Sequence, residues 1–342
     1  MKKRLGAAIW GAGWVSAEHL KSWLNNPNSE VIAMGARRAE QVKERLAEAG
    51  VDGKVEIYTS LEKILQRKDI DVISICLPAY LQAQAAMLAA EAGKHLLVEK
   101  PVAKTITELK QLRDVVCKAG VKTVVGFVLR WNPMVQIVKN LIGEGWLGKI
   151  IYCRFAYLHE LGPWYSGFEW ARTRAMGGSV TLLGGCHAID TMRYLVDDDA
   201  TEAVAFSTRG HRFDFEYNPT VVGLVRFRNG AVGQIAASQE LHMPYLFPME
   251  IMGSLGAIRD GKLWSEKIKG QTGWANIPSI MPDSGDVAHH PFQGEIDHLV
   301  DCILNNKESH ASITDSVKTH EIVFAMDDSA SKSGQPVKLP LI

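Results

Sequence analysis

Apolar residues in the first third of the chain fall into short unbroken runs, separated by longer stretches with helical spacing. Leu5 to Trp10 is such a run and leads straight into Gly11-Ala12-Gly13, after which helix-forming residues continue through Trp23. Glu30 to Gly35 is a second run, followed by the charged, helically spaced segment Ala39 to Ala49, and Val55 to Tyr58 reads as a brief third strand. Asp71 to Leu77 is β-branched, apolar on both faces and stopped by Pro78. The alternation continues with Ala-rich Gln82 to Ala92, a buried strand His95 to Glu99, a helix Thr107 to Ala119 ended by Gly120, and a strand Lys122 to Leu129. Runs apolar on both faces suit strands covered on each side by helices, and their alternation predicts right-handed β-α-β units on a parallel sheet.

The pattern changes after Asn132-Pro133. A helix is expected from Pro133 to Ile142, broken by Gly143 and Gly145. Segments of alternating character then follow: Lys149–Tyr157, Ala203–Thr208, Thr220–Phe227, Ala231–Ser238 and Met249–Met252. Arg228-Asn229-Gly230 between two of them is a hairpin signal. The expectation is a second, α+β domain built on a large open antiparallel sheet, with the late helix Thr314 to Ser329 packing back near the first domain. Boundaries are set at 1-122 and 123-342.

A chain of 342 residues suits about two domains, and a hydrophobic share of 46% is ample for their cores. Lys plus Arg and Asp plus Glu are each 38, so no basic field exists for nucleic acid or an anionic membrane surface. The five cysteines are scattered, never paired as CxxC, and read as reduced, mostly buried thiols. No secretory signal and no run near the roughly 20 apolar residues of a membrane span are seen, so the expected location is cytoplasmic.

Gly11-Ala12-Gly13-Trp14-Val15-Ser16 follows the first strand and opens a helix, the context of the dinucleotide fingerprint. Gly11 permits a tight turn, and Gly13 lets a pyrophosphate approach free N–H groups and the positive end of the helix dipole. Ser16 takes the third position, where Gly or Ala is usual. The first domain is therefore read as a Rossmann domain. Its second strand ends in Ala36-Arg37-Arg38, with no carboxylate before Glu40. Two guanidiniums there suit a 2′-phosphate, which favours NADP over NAD. The other reading is a solvated helix start, or an arginine stacked on adenine.

Glu99-Lys100-Pro101 stands at the C-terminal end of a buried strand, where ligands bind in open α/β sheets. A lysine there can hydrogen-bond a reacting hydroxyl or carbonyl and help move its proton. At this point the chain resembles the family of glucose–fructose oxidoreductase and inositol 2-dehydrogenase (Gfo/Idh/MocA). The resemblance rests on the early fingerprint with His19 downstream, Leu77-Pro78, Glu99-Lys100-Pro101 and Arg130-Trp131-Asn132-Pro133. It continues through Gly177-Gly178-Ser179, Gly185-Cys186-His187-Ala188-Ile189-Asp190 and the tail Ser333-Gly334-Gln335-Pro336-Val337. It implies a sugar or cyclitol bound between two domains, with Lys100 and His187 doing the chemistry. It also implies cofactor contacts at Leu77, Pro78, Tyr80, Gln82, Glu99 and Lys100, and substrate contacts at Arg130 and Asp190. On a helix Asp190 would share a face with His187 and could instead orient its imidazole. A homodimer or homotetramer through the open sheet face is expected.

Two positions depart from the family pattern. Many members carry Asp four residues before this histidine, where this chain has Leu183, and Gln82 stands where members often have His. The aromatic stretch between Tyr152 and Trp170 suits pyranose faces. His159 is placed among the sugar contacts, with Trp164 and Tyr165 on a loop after Gly162-Pro163, and Phe155 is assigned to the core. His289-His290 near Asp286 offers a substrate contact at His290, and no metal is expected. The reading is an NAD(P)-dependent dehydrogenase or reductase acting on a pyranose, glycoside or cyclitol. Its alternatives are a glycosidase using transient ring oxidation and a non-catalytic sugar or dinucleotide sensor.

Overall fold

The computed structural model describes residues 4–51, 53–285 and 290–342. Two compact units emerge: Met1–Val128 with Pro291–Val317, and Leu129–His290 with Lys318–Ile342.

The first unit holds a six-stranded sheet of β1 (Leu5–Trp10), β2 (Ser29–Gly35), β3 (Glu56–Tyr58), β4 (Val72–Ile75), β5 (His95–Val98) and β6 (Thr123–Val125). Its order is β3-β2-β1-β4-β5-β6 and every pairing is parallel. All six residues of β1 are buried, as a strand covered on both faces must be. The connecting helices are α1 (Trp14–Asn25), α2 (Ala39–Glu48), α3 (Leu61–Leu65), α4 (Ala79–Glu91) and α5 (Ile106–Ala119). Local chemistry sets their ends: Thr105 accepts the Glu108 N–H at the start of α5, and Gly120 closes it at φ 66°. The strand order reverses between β1 and β4, the switch point at which open α/β sheets bind ligands.

The strand expected over Lys122 to Leu129 is shorter than its apolar run. β6 ends at Val125, and Val128–Trp131 forms a 3₁₀ turn that carries Arg130 into the interior, where it is 1% exposed.

In the second unit α6 (Pro133–Gly143) precedes β7 (Ile150–Leu158), α7 (Phe168–Ala171) and α8 (Cys186–Val196). Then come β8 (Ala200–Thr208), β9 (Thr220–Phe227), β10 (Val232–Ser238), β11 (Met249–Gly253), β12 (Gly256–Arg259), β13 (Lys262–Ser265) and β14 (Ala275–Asn276). The sheet order is β14-β13-β12-β11-β7-β10-β9-β8-β15, with β15 at Val337–Lys338. It is largely antiparallel, but β7 and β10 run parallel, so the sheet is mixed. The long excursion through α8 between these strands supplies the crossover that a parallel pair requires. Along β9, exposed Val222 and Leu224 alternate with buried Val221, Gly223 and Val225. One face of this sheet is therefore core and the other is open.

The chain finishes with α9 (Phe292–Leu304) in the first unit and α10 (Ile313–Ser331). Asp190 and Thr319, and Asp327 with Ser179, are bonded within the second unit. All five cysteines are free thiols, four of them buried. No helix among the described residues is long and apolar enough to cross a membrane.

Candidate functional site

Gly11 has φ +125°, and a Cβ on it would lie 2.0 Å from the Cys76 carbonyl oxygen, so only glycine fits. Over Gly13, by contrast, a Cβ would meet nothing within 4 Å. The first turn of α1 contains no acidic residue, and its N-cap, Gly13, has no side chain to cap it. Its N–H groups and the positive end of its dipole are thus presented to open space at Gly13. Ser16 is fully buried and gives its hydroxyl hydrogen to the Gly13 carbonyl at 2.6 Å, which explains how a small polar residue serves at the third position. Ala12 and Val15 are half-buried, and Trp14 is exposed with its ring edge-on to Phe292. Ala36 is buried, while Arg37 and Arg38 are exposed and make no ion pair among the described residues. This is a cradle that fits an anionic dinucleotide.

Leu77, Pro78 and Tyr80 are half-buried where β4 gives way to α4. Gln82 is fully buried and donates to the Glu99 carbonyl at 3.0 Å, so it ties α4 to the end of β5. Glu99 turns inward: one oxygen accepts the Lys100 N–H at 3.1 Å and the other lies 3.2 Å from His19 Nε2. Gly126 makes room for it, since a Cβ there would stand 2.9 Å from the carboxylate. Lys100 is half-buried at the strand end.

In the second unit His187 sits on the first turn of α8 and is 4% exposed. A widened π-helical turn, Thr181–Gly185, precedes it, an irregularity often found at functional sites. Gly184 and Gly185 let this turn press on the sheet: a Cβ on Gly184 would be 2.7 Å from the Tyr157 ring, and on Gly185 2.8 Å from Ala237. The close approach stacks His187 on Tyr157, with centroids 5.7 Å apart and planes 19° from parallel. Tyr245 lies 5.1 Å from Tyr157, and His290 lies 6.3 Å from His187 and 5.9 Å from Tyr245. His159 is edge-on to Tyr245 at 5.7 Å, with Trp164 6.2 Å beyond it. Trp164 is 65% exposed, and Tyr165 closes a turn back to the Gly162 carbonyl. Phe155 is fully buried core.

The structure thus brings His159, Trp164, His187 and His290 into one aromatic cluster, with Tyr157 stacked on the imidazole. Tyr245 was not legible beforehand, because it lies in an irregular stretch without periodicity. Asp286 and His289 fall outside the described residues. Arg130 and Asp190 are both 1% exposed and bonded to each other by two contacts of 2.7 and 2.6 Å. Glu160 is engaged by Arg212 and His242; although burial opposes it, those hydrogen bonds hold its carboxyl below the ordinary range.

Residues 5–127 match the oxidoreductase family with an NAD-binding Rossmann fold, and residues 135–259 match the GFO/IDH/MocA C-terminal domain. Levoglucosan dehydrogenase of Pseudarthrobacter phenanthrenivorans is 30% identical over 288 residues, which span 75% of this chain and 73% of that protein. The chain belongs to the Gfo/Idh/MocA family. The scyllo-inositol 2-dehydrogenase (NAD(+)) of Bacillus subtilis is 26% identical over 99% of this chain and 97% of its own. A solved levoglucosan dehydrogenase in complex with NADH and L-sorbose superposes with a TM-score of 0.89, at 24% identity, over 99% of this chain and all of that one.

Set among Gfo/Idh/MocA proteins, this chain has an NAD-binding Rossmann unit whose fingerprint ends in Ser16. Leu183 is 8% exposed in the π turn, four positions before His187.

Proposed function

We propose that this chain transfers hydride between a nicotinamide dinucleotide, NADP in preference to NAD, and a secondary hydroxyl or ketone of a pyranose, glycoside or cyclitol. The observation that carries the substrate class is the cluster of His187, Tyr157, Tyr245, His290 and His159. It offers flat apolar faces for a ring and several polar tips for its hydroxyls. The names of the levoglucosan and scyllo-inositol enzymes among the relatives support a ring polyol.

When bound, the dinucleotide accepts or delivers the hydride at its nicotinamide ring. This chain's residues handle the proton and the geometry. In the oxidation direction, His187 takes the hydroxyl proton as the carbon–hydrogen electron pair departs, leaving a ketone and an imidazolium; reduction reverses both transfers. Lys100 hydrogen-bonds the reacting oxygen and steadies its charge as the proton moves. Arg130 and Asp190 satisfy one another and fix α8, while His159, Trp164, Tyr165 and His290 contact the substrate. The first unit holds the cofactor and the second the substrate. Exposed Phe206, Val222 and Leu224 make the open sheet face the surface for a homodimer or homotetramer, and the protein works in the cytoplasm.

The test is a panel of sugars, glycosides and cyclitols, with cofactor absorbance and released sugar recorded together. One reduced cofactor per substrate consumed is expected. Release of free sugar with unchanged cofactor would replace this reading with redox-neutral glycoside cleavage.

A further inference from the structure

One buried cluster in the first unit takes no part in the chemistry above. His19 of α1, Glu99 after β5 and Glu295 of α9 bring an imidazole nitrogen and two carboxylates together, their atoms all within 4.8 Å of one another. His19 and Glu295 are fully buried and Glu99 is 7% exposed. His19 Nε2 lies 3.2 Å from Glu99 and 3.5 Å from Glu295. Among the described residues neither oxygen of Glu295 has a hydrogen-bond partner, and neither has His19 Nδ1.

Two carboxylates so close, removed from water, cannot both stay ionised without a compensating positive charge. Either a proton or a metal ion must supply it, and the histidine tautomer decides between them. An orphaned buried N–H is rare, whereas an unused acceptor costs less. His19 Nδ1 is therefore the bare lone pair, and Nε2 carries the hydrogen and donates it to Glu99. A protonated nitrogen is not a metal ligand. A metal-bound histidine would also donate its far N–H to an acceptor, and Nδ1 has none among the described residues.

A proton thus closes the cluster, and the hydrogen bonds place it. Glu99 accepts N–H groups from His19 and Lys100, while Glu295 accepts none among the described residues and so has the oxygen available to carry the hydrogen. The surroundings agree. Among the elements packed on α9, α1 presents His19, the end of β5 presents Glu99, and β6 (Thr-Val-Val) presents no titratable group. His95 lies at the opposite end of β5, and burial above all pushes the nearby Cys76 thiol well above its ordinary range.

We propose that Glu295 is a positioning residue that holds a proton at neutral pH, leaving Glu99 as the single anion to which the Lys100 backbone N–H is fixed. The consequence for turnover rests on the role given to Lys100; the protonation itself does not. Folded Glu295 keeps its proton where the unfolded chain has lost it, so the folded state binds more protons and stability falls as pH rises above about 4.3. Glutamine copies the neutral acid and abolishes that loss.

The experiment compares the wild type with Glu295→Gln and Glu295→Ala by infrared spectroscopy, by denaturant unfolding across pH, and by pH–rate profiles. A carbonyl band of a protonated carboxyl is expected in the wild type at neutral pH and is lost in Glu295→Gln. That variant should keep turnover within about 3-fold at neutral pH and extend activity to higher pH, while Glu295→Ala loses at least ~10-fold. Absence of the band overturns the proposal. So does a Glu295→Gln stability curve parallel to the wild type, or one equivalent of metal in the wild type that disappears in the variant. Should Glu295→Gln fail to fold, the band in wild-type protein carrying ¹³C-labelled glutamate decides alone. Full turnover in Lys100→Met would remove the link to catalysis, leaving band and stability curve to judge the proton.

Discussion

Arg130 grips Asp190 through two parallel hydrogen bonds, Nε to Oδ2 at 2.7 Å and Nη2 to Oδ1 at 2.6 Å, with both side chains withdrawn from solvent. Thr319 donates to the same carboxylate at 2.8 Å, Arg193 donates to Thr319 at 3.0 Å, and the Tyr194 ring lies 5.0 Å from the guanidinium. Asp190 thus accepts three hydrogen bonds within the protein. On the function proposed above, it would act on the reaction by holding α8, which carries His187.

That arrangement predicts a large stability effect. Arg130→Ala or Asp190→Ala should each cost about 3–5 kcal/mol, because the abandoned partner is left as a buried, uncompensated charge. Arg130→Lys should also lose stability, since an ammonium cannot make the two-pronged contact. The double variant should lose less than the sum of the singles. Urea unfolding of the wild type and these four variants checks this, and losses under about 1 kcal/mol would show that water reaches the pair.

His187 owes its place to the glycines before it. Gly184→Ala would drive a methyl into the Tyr157 ring, which must swing or push the π turn away. Turnover should fall by roughly 10- to 100-fold with dinucleotide affinity unchanged, whereas His187→Ala should cost about 10²–10⁴-fold. Lys100→Met belongs in the same class. Steady-state kinetics beside cofactor titration separates these effects. Near-normal turnover in His187→Ala or Lys100→Met would remove that residue from the mechanism.

Leu183 precedes His187 by four positions, across the π turn. A carboxylate one helical turn before His187 would stabilise its protonated form. Leu183→Asp should therefore shift the acid limb of the pH–rate profile to higher pH, and added salt should shrink the shift only slightly if the site is closed to water. An unmoved limb would mean that position 183 does not face the imidazole.

What was legible in the chain follows the range of the forces involved. The expected strand Leu5 to Trp10 has the observed bounds of β1, because burial on both faces writes a continuous apolar run. Gly11 and Gly13 could be read because a tight turn excludes side chains whatever surrounds it. β12, β13 and β14 were not read, being only four, four and two residues long, too short to carry a period. Glu295 was invisible for another reason. In sequence it is one acid of a mixed helix beside Phe292, Ile296 and Leu299, and only the fold brings it to His19 and Glu99. Asp190 was visible as a motif residue, but whether it meets substrate or Arg130 depends on a turn some 60 positions away.

Asp327 gives a pH test in the second unit. Burial pushes its carboxyl up to about 6, although Ser179 and Thr181 donate hydrogen bonds to it. The unfolded chain releases this proton at about 3.9, so between there and about 6 the folded state holds more protons. Stability should fall as pH rises through that window and level off above it. Asp327→Asn should flatten the curve, and a wild-type curve that rises across the window would contradict the assignment.

The NADP preference proposed above puts the choice of cofactor at the end of β2. Ala36 is buried where a carboxylate would otherwise meet the adenosine 2′-hydroxyl, and exposed Arg37 and Arg38 have no acidic partner among the described residues. A 2′-phosphate brings close to two negative charges, and a guanidinium can hold it by charge-assisted bonds of about 1.5–3 kcal/mol. Solvent screens exposed pairs towards about 0–1 kcal/mol each, so a combined preference near 2 kcal/mol is the reasonable scale. That corresponds to roughly a 30-fold advantage for NADP, since each 1.4 kcal/mol is tenfold. Ala36→Asp with Arg37→Ala should reverse the preference, because it adds a repulsion as well as removing an attraction. Rising salt should erode the wild-type preference and leave NAD affinity nearly constant. Equal affinity of the wild type for NAD and NADP at low salt would mean that the arginines are a solvated helix start or a stack on adenine.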